Sequence, residues 1–415
     1  MNSVLPVSVV VVSRGRPALL ARCLTGLAQL FHPNYEVVVV ADPAGCDAVR
    51  RIGWHERIKL ISFDEANISK ARNLGIAASG GEIIAFIDDD AVPEPTWLAH
   101  LTAPFSDPNV AQTGGLVLGR NGITLQWPVR AVNDLGQTRT LKMPGESPFV
   151  PSLKPAEAIK TEGTNMAVRQ SVITAMGGFD PAFAFYLDET DVNRRLMGHA
   201  TVIVPLAQVH HGFARSERRQ ANRGPSDLTQ IGVSSAAFLR KHAPREQYNL
   251  GKDRVVSEQR KRLIGHMVLG TISPDDIRPL MDSLAQGFTM GEALDLAQPH
   301  AISASEPFKP FPTNAQGETT WHSGRPWSRR ALAQKARGDV AAGQVTTVLR
   351  LSPSTLSHRV AFNPDGYWEQ WGGLFGRSDR GQPRFRWTGF NRRVREEQER
   401  VGKVRNHWAD RPISG

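Results

Sequence analysis

Residues 82–97 read EIIAFIDDDAVPEPTW, and the two halves of this stretch decide the fold. Ile83, Ile84, Ala85, Phe86 and Ile87 form a short apolar run, the pattern of a buried strand. Asp88, Asp89 and Asp90 end it, Pro93 and Pro95 forbid its continuation, and Trp97, Leu98 and Leu101 start a helical apolar face. Three carboxylates at a buried strand end repel one another unless a cation or hydrogen-bond donors sit among them. A hard divalent cation, Mg2+ or Mn2+, takes oxygen ligands and keeps positions for phosphate oxygens. Ligands of open α/β sheets bind at the carboxyl ends of strands. The stretch therefore reads as a metal–diphosphate site. The plainer reading is an acidic turn capping a helix.

Upstream, the same unit repeats. Residues 7–12 are a β-branched run broken only by Ser8, followed by the turn Ser13-Arg14-Gly15-Arg16-Pro17. Leu19, Leu20, Cys23, Leu24 and Leu27 then mark one face of a helix, with Cys23 in the core. Residues 37–40 and 58–63 are further strands, ending near Asp42 and Asp64, and 67–78 is a helix. Strand–helix alternation argues a parallel sheet covered by helices. Right-handed crossovers bring Ser13, Asp42, Asp64 and the three Asp to one edge. A nucleotide fits that edge, with Asp42 accepting from a base, or serving only as a turn residue, and the Arg72 fork meeting a diphosphate. No G-x-G-x-x-G follows the first strand, which argues against a dinucleotide Rossmann domain.

Downstream, the pattern degrades over 107–155 into hairpins or long loops around a strand at 110–118. Residues 162–168 read as a strand and 171–176 as a short helix broken by Gly177-Gly178-Phe179-Asp180. Asp188, Glu189 and Asp191 open the next helix, where the dipole favours negative charge. They are also candidates for a general base. The strand at 202–206 leads to His210 and His211, paired candidates for metal ligation between which the sequence does not choose. Arg215, Arg218, Arg219 and Arg223 then form a basic loop suited to phosphates, or simply a solvated segment.

Four segments in order, PVSVVVVSRGRPALLARCL, ISKARNLGIAASGGEIIAFIDDDAVPEPTWL, EGTNMAVRQSVITAMGGFD and FYLDETDVNRRL, resemble family 2 glycosyltransferases of the GT-A fold over about residues 5–215. The resemblance implies a nucleotide-diphospho-sugar transferase fold, a mostly parallel α/β sheet with helices on both faces. It matches Asp88–Asp90 to the family's Asp-x-Asp motif, with Asp90 a metal ligand and Asp88 nearer the ribose, beside Ser13 and Asp89 in the donor site. Asp42 takes the place of the acid that meets the base, and Arg72 that of the residue facing the diphosphate. The Asp188-Glu189 pair stands where the family has Glu-Asp, which makes Glu189 the implied base in reversed order. His211, with His210 behind it, matches a late histidine that some members add to the metal, and 177–180 match the acceptor-side segment. The implied reaction is inverting transfer to an acceptor hydroxyl, carbohydrate or lipid-linked, in cell-surface polysaccharide or glycolipid synthesis.

At 415 residues and 40% apolar content, the chain suggests two or three domains. It has no run of about 18 apolar residues, and its start lacks a basic n-region and cleavage site. Two cysteines fit a reduced, cytoplasmic compartment, and the net charge of +10 favours an anionic partner, including peripheral contact with the inner face of a membrane. The expected organisation is a glycosyltransferase domain at 1–225, a helical extension at 226–295, a Pro/Ser/Gly-rich linker at 296–330 and a small basic, aromatic-rich module at 331–415. In that module Tyr367, Trp368, Trp371, Phe375, Phe385, Trp387 and Phe390 read as a core or a sugar platform. A sugar nucleotidylyltransferase would want a Gly-rich, Lys/Arg-containing loop after the first strand, which Ser13-Arg14-Gly15-Arg16 only faintly suggests. A non-catalytic nucleic-acid or membrane-binding protein would leave the acidic triplet idle, so no nucleic acid is expected as partner.

Overall fold

The computed structural model describes residues 4–212, 224–296, 299–303, 306–312 and 318–406. The first half alternates as its sequence requires: β1 (Val7–Ser13), α1 (Pro17–Leu27), β2 (Tyr35–Ala41), α2 (Pro43–Arg51), β3 (Lys59–Ser62), α3 (Ile68–Ala78) and β4 (Ile83–Asp88). These strands lie parallel in the order β3-β2-β1-β4. Successive residues point to opposite faces. Val7, Val9, Val11 and Ile87 thus pack with Leu20, Cys23 and Leu24 of α1, while Val10, Val38 and Phe86 pack on the other side with Ile76 of α3. Both faces are covered, which is why these strands are apolar throughout.

Close packing on the second face depends on Gly75. A Cβ there would stand 2.4 Å from Val10 Cγ1. Gly75→Val is expected to destabilise the fold by about 1–3 kcal/mol through overpacking, read as a fall in the urea midpoint with unchanged slope.

Beyond β4 the parallel pattern stops. The chain turns through Asp89 and Asp90, and β5 (Ala91–Pro93) crosses to the far edge of the sheet, where Pro93 ends a short edge strand. There follow α4 (Trp97–Thr102), β6 (Val110–Leu118), β7 (Arg130–Val132), β8 (Thr138–Thr140), β9 (Ala158–Lys160), β10 (Met166–Arg169), α5 (Gln170–Ala175), α6 (Asp188–Arg195) and β11 (Ala200–His211). The degraded 107–155 region supplies β6 and most of a three-stranded antiparallel sheet, β8-β7-β9. The large sheet runs β3-β2-β1-β4-β10-β6-β11-β5. β10 is antiparallel to both neighbours, whereas β6 and β11 are parallel.

The extension is α7 (Thr229–His242), α8 (Tyr248–Val268) and α9 (Ile277–Glu292) around Leu239, Leu263, Leu284 and Phe288. The described residues of 299–312 lie along the first domain rather than away from it. Ile302 N donates to Thr174 O at 3.0 Å, Phe311 N donates to Tyr35 O at 2.8 Å, and the Phe311 ring packs on Tyr35 and Trp54. The C-terminal unit comprises β12 (Thr319–Gly324), α10 (Arg329–Ala341), β13 (Val345–Ser352), β14 (Arg359–Phe362), β15 (Trp368–Gly373) and α11 (Phe390–Arg405), with sheet order β12-β13-β15-β14. Its aromatics divide: Tyr367 and Trp368 are buried, while Phe385 and Trp387 are exposed. Phe31 and Val92 of the large domain share a core with Val345, Val360, Phe362 and Trp368. The end of α11 docks on the start of α4, where Thr96 Oγ1 donates to Val404 O at 2.8 Å and Arg405 clasps Glu94 at 2.7 and 2.8 Å. Among the described residues no helix is long and apolar enough to cross a membrane.

Candidate functional site

The three aspartates at the end of β4 take three directions. Asp89 is fully buried and accepts from Ser13 Oγ at 2.7 Å, with Arg16 at 2.9 Å. Burial pushes its pKa up to about 7 against the pull of Arg16 and Ser13. Asp88 is the more open and meets Arg72 at 3.2 Å. Asp90 faces His211 Nε2 at 3.0 Å.

His211 arrives from the middle of the chain because β5 folds back on β11. His211 pairs with Ala91, and Gly212 N donates to Asp90 O at 2.8 Å. One ligand atom each from Asp88, Asp90 and His211 lie within 4.8 Å of one another. Gln126 Oε1 sits 2.8 Å from His211 Nδ1. A Nδ1–H donated to this oxygen leaves the Nε2 lone pair facing the carboxylates, the orientation a bound metal requires. Burial disfavours a proton on His211, but Asp90 and then Asp88 raise its pKa, so a positive charge is welcome at this point. Two carboxylate oxygens and an imidazole suit a hard to borderline divalent cation, so the residues present fit Mg2+ or Mn2+.

His210, expected behind His211 at the metal, is turned away. The pleat sends neighbouring side chains to opposite faces. Its Nε2 pairs with Glu94 Oε1 at 2.7 Å and its ring lies 4.8 Å from Trp368 of the C-terminal unit. Asp42 lies at the expected edge, but both its oxygens are engaged by backbone. Oδ1 accepts from Gly45 N, capping α2, and Oδ2 accepts from Gly15 N, each at 2.9 Å.

Arg72 joins the two acidic motifs. Buried on α3, it contacts Asp88 of β4 and Asp188 of α6, with the Phe179 ring 5.0 Å from its guanidinium carbon. Gly163 makes this possible, since a Cβ there would lie 2.6 Å from Arg72 Nη2. The 177–180 segment lies beneath the site. Gly177 and Gly178 turn with positive φ, Phe179 is fully buried, and Asp180 pairs with Lys241 at 2.7 Å.

The acids of α6 also separate. Leu187, at φ 65°, sets the helix start. Asp191 is held by Arg195, His242 and Lys241 at 2.7–2.9 Å; burial opposes its charge, but these partners bring its pKa to about 2. It anchors α7 and does not open into the site. Glu189 accepts from Lys160 Nζ at 2.7 Å, which overcomes burial and holds the carboxyl well below the usual range. Burial raises Asp188, opposed by Arg72 and reinforced by the Glu189 charge. Of the two, Glu189 is the more exposed.

Sequence reading missed Arg16, Gln126, Lys160, Lys241 and His242. Arg16 stood in the turn after β1, the one signal available. Gln126 lies in the weakly patterned 107–155 region, Lys160 just beyond it, and Lys241 and His242 in a distant helix. Arg215, Arg218, Arg219 and Arg223 lie outside the described residues.

Residues 8–171 match the family described as Glycosyl transferase family 2. A pre-mycofactocin glycosyltransferase of Mycobacterium tuberculosis (strain ATCC 25618 / H37Rv) is 31% identical over 185 residues, covering 42% of this chain and 35% of that protein. The O-antigen biosynthesis protein RfbC of Myxococcus xanthus is 25% identical over 246 residues, covering 56% of this chain and 19% of that protein. The chain thus spans about a third or less of these relatives' length. Among solved structures, GalNAc-T7 with UDP, GalNAc and Mn2+ is similar at a TM-score of 0.46 and 17% identity, covering 71% of this chain and 57% of that one.

Proposed function

We propose, from the match of residues 8–171 to Glycosyl transferase family 2 and from the sheet that carries them, that the chain moves a sugar from a nucleotide-sugar donor to an acceptor hydroxyl, with inversion and with a divalent cation. The observation that carries this reading is the convergence of Asp88, Asp90 and His211 on one point, joined through Arg72 to Asp188, the residue before Glu189. The bound cation would supply charge neutralisation at the departing diphosphate.

The chain's own residues do the rest. Arg72 offers a fixed fork of donors to the diphosphate. Asp188 positions Arg72 from the opposite side. Asp89 fixes Ser13 and Arg16 at the mouth of the donor site. Glu189 takes the acceptor's proton as the acceptor oxygen bonds to the anomeric carbon and the bond from that carbon to the diphosphate oxygen breaks. Sugar passes in one displacement, and the nucleoside diphosphate leaves with the electron pair.

The test is thermal stabilisation by uridine, guanosine, thymidine and cytidine diphosphates with and without Mn2+. A Mn2+-dependent rise with one nucleotide supports the reading and names the donor base, and no rise with any of them removes it.

The Lys160 contact yields a pH prediction. Lys160 lowers the Glu189 pKa, so Lys160→Met raises it. The acidic limb of the kcat/KM profile then moves from about 2 toward the ordinary glutamate range, with activity at pH 4 falling relative to pH 7. An unmoved limb would show that Glu189 does not take the proton.

A further inference from the structure

The C-terminal unit carries a surface that sugar transfer does not use. Trp387 is 79% exposed, and Leu356 (66%) and Phe385 (42%) are also open. Trp387 lies 4.8 Å from Phe375 and 5.4 Å from Phe385, at interplanar angles of 63° and 81°. The rings therefore brace one another edge to face in a knob. Leu356 joins it through its backbone, which abuts Gly376, the residue after Phe375. Trp327, 77% exposed, follows Arg325, whose guanidinium stacks 4.6 Å over Phe390 in the same apolar cluster as Phe375. Around the knob, residues 376–397 hold seven arginines against Asp379, Glu396 and Glu397, and Arg386, Arg392 and Arg393 pair with those glutamates. Of the seven arginines, Arg380, Arg384, Arg392 and Arg395 are exposed.

We propose that this face docks on an anionic membrane surface, with Trp387, Phe385 and Leu356 entering the headgroup region and the arginines meeting lipid phosphates. Indole rings favour the membrane–water interface, and basic side chains near the surface add attraction to anionic lipid. A glycan or nucleic-acid platform would present flat ring faces for stacking. Here the ring faces are turned against one another and an aliphatic side chain shares the surface, which suits insertion rather than stacking. A neutral glycan also gains little from the four exposed cationic groups. The unit is clamped to the large domain through Arg405–Glu94 and Trp368–His210, so a docked knob would hold the sheet edge at a fixed place relative to the bilayer.

The test uses the full chain in co-sedimentation with phosphatidylcholine vesicles, with and without 30% phosphatidylglycerol, at low and high salt, and reads no transfer activity. Its outcome is therefore separate from that of the catalytic reading. The expected result is binding to the anionic vesicles only, weakened by salt. It should fall at least tenfold in Leu356→Ser/Trp387→Ser and, independently, in Arg380→Gln/Arg384→Gln, whose thermal midpoint should match that of the parent because both positions are exposed. Absence of binding by the parent chain overturns the proposal, as does binding that both variants retain. Preferential binding of single-stranded polyuridylate over vesicles also overturns it.

Discussion

Asp90→Ala is expected to abolish the Mn2+-dependent thermal stabilisation by nucleoside diphosphate. A ligand at a hundred times its Kd stabilises the native state by about 2.7 kcal/mol, and the variant should lose that whole increment. The reason is geometric. Asp90 is the carboxylate nearest His211 Nε2, and β5 exists to bring the two strands together at that point. His211→Ala should weaken the Mn2+ effect in the same direction. His210→Phe provides the contrast: it faces Glu94 and Trp368, so the Mn2+ effect should survive even where overall stability falls. Equal loss of the Mn2+ effect in both histidine variants would contradict the assignment of one strand face to the metal. Isothermal titration with Mn2+ alone makes the comparison independent of the nucleotide.

Glu189→Gln is expected to leave diphosphate and Mn2+ binding intact while lowering kcat by about 10²–10⁴, the range of a lost general base. The amide keeps the size of the carboxylate and can still accept from Lys160, so the fold should be undisturbed. Asp188→Asn should behave differently. Arg72 loses a charged partner there and donor binding should weaken, so KM rises along with any fall in kcat. If Glu189→Gln retains full turnover and Asp188→Asn does not, the proton goes to Asp188, and the reversed order of the pair is functional as well as sequential.

The βα half of the fold was legible because both faces of its strands are buried, which leaves continuous Val and Ile runs with clear turns. The antiparallel β10 was not. Its direction is set by the excursion through β7, β8 and β9, whose three-residue strands carry too few side chains to show a period. The acidic triplet announced a site, yet the fates of Asp89 and Asp90 depend on partners 70 or more residues away. Asp89 is claimed by Ser13, and Asp90 by His211. The choice between His210 and His211 turns on strand phase, and the adjacent Pro205–Gln208 irregularity against β6 makes that phase unreadable from composition. Asp191 looked equivalent to its neighbours until α7 supplied Lys241 and His242, which no local pattern could connect to it.

The clasp between Glu94 and Arg405 makes the start of α4 and the end of α11 answerable to each other. Glu94 lies four residues beyond Asp90 and is buried; burial opposes its charge, but Arg405 and His210 hold its pKa at about 2. A chain stopped before α11 would keep that carboxylate without its cation, a loss of about 3–5 kcal/mol for a buried pair broken on one side. The damage would fall on the short strand that brings Asp90 beside His211. Nicks or premature stops near residue 400 would therefore register as defects of the proposed donor site, some three hundred residues earlier in the sequence. The sign with pH is the same. The clasp contributes fully above the ordinary glutamate pKa and fades as the medium is acidified toward about 2, so acid would loosen this edge of the sheet by protonating Glu94 and releasing Arg405.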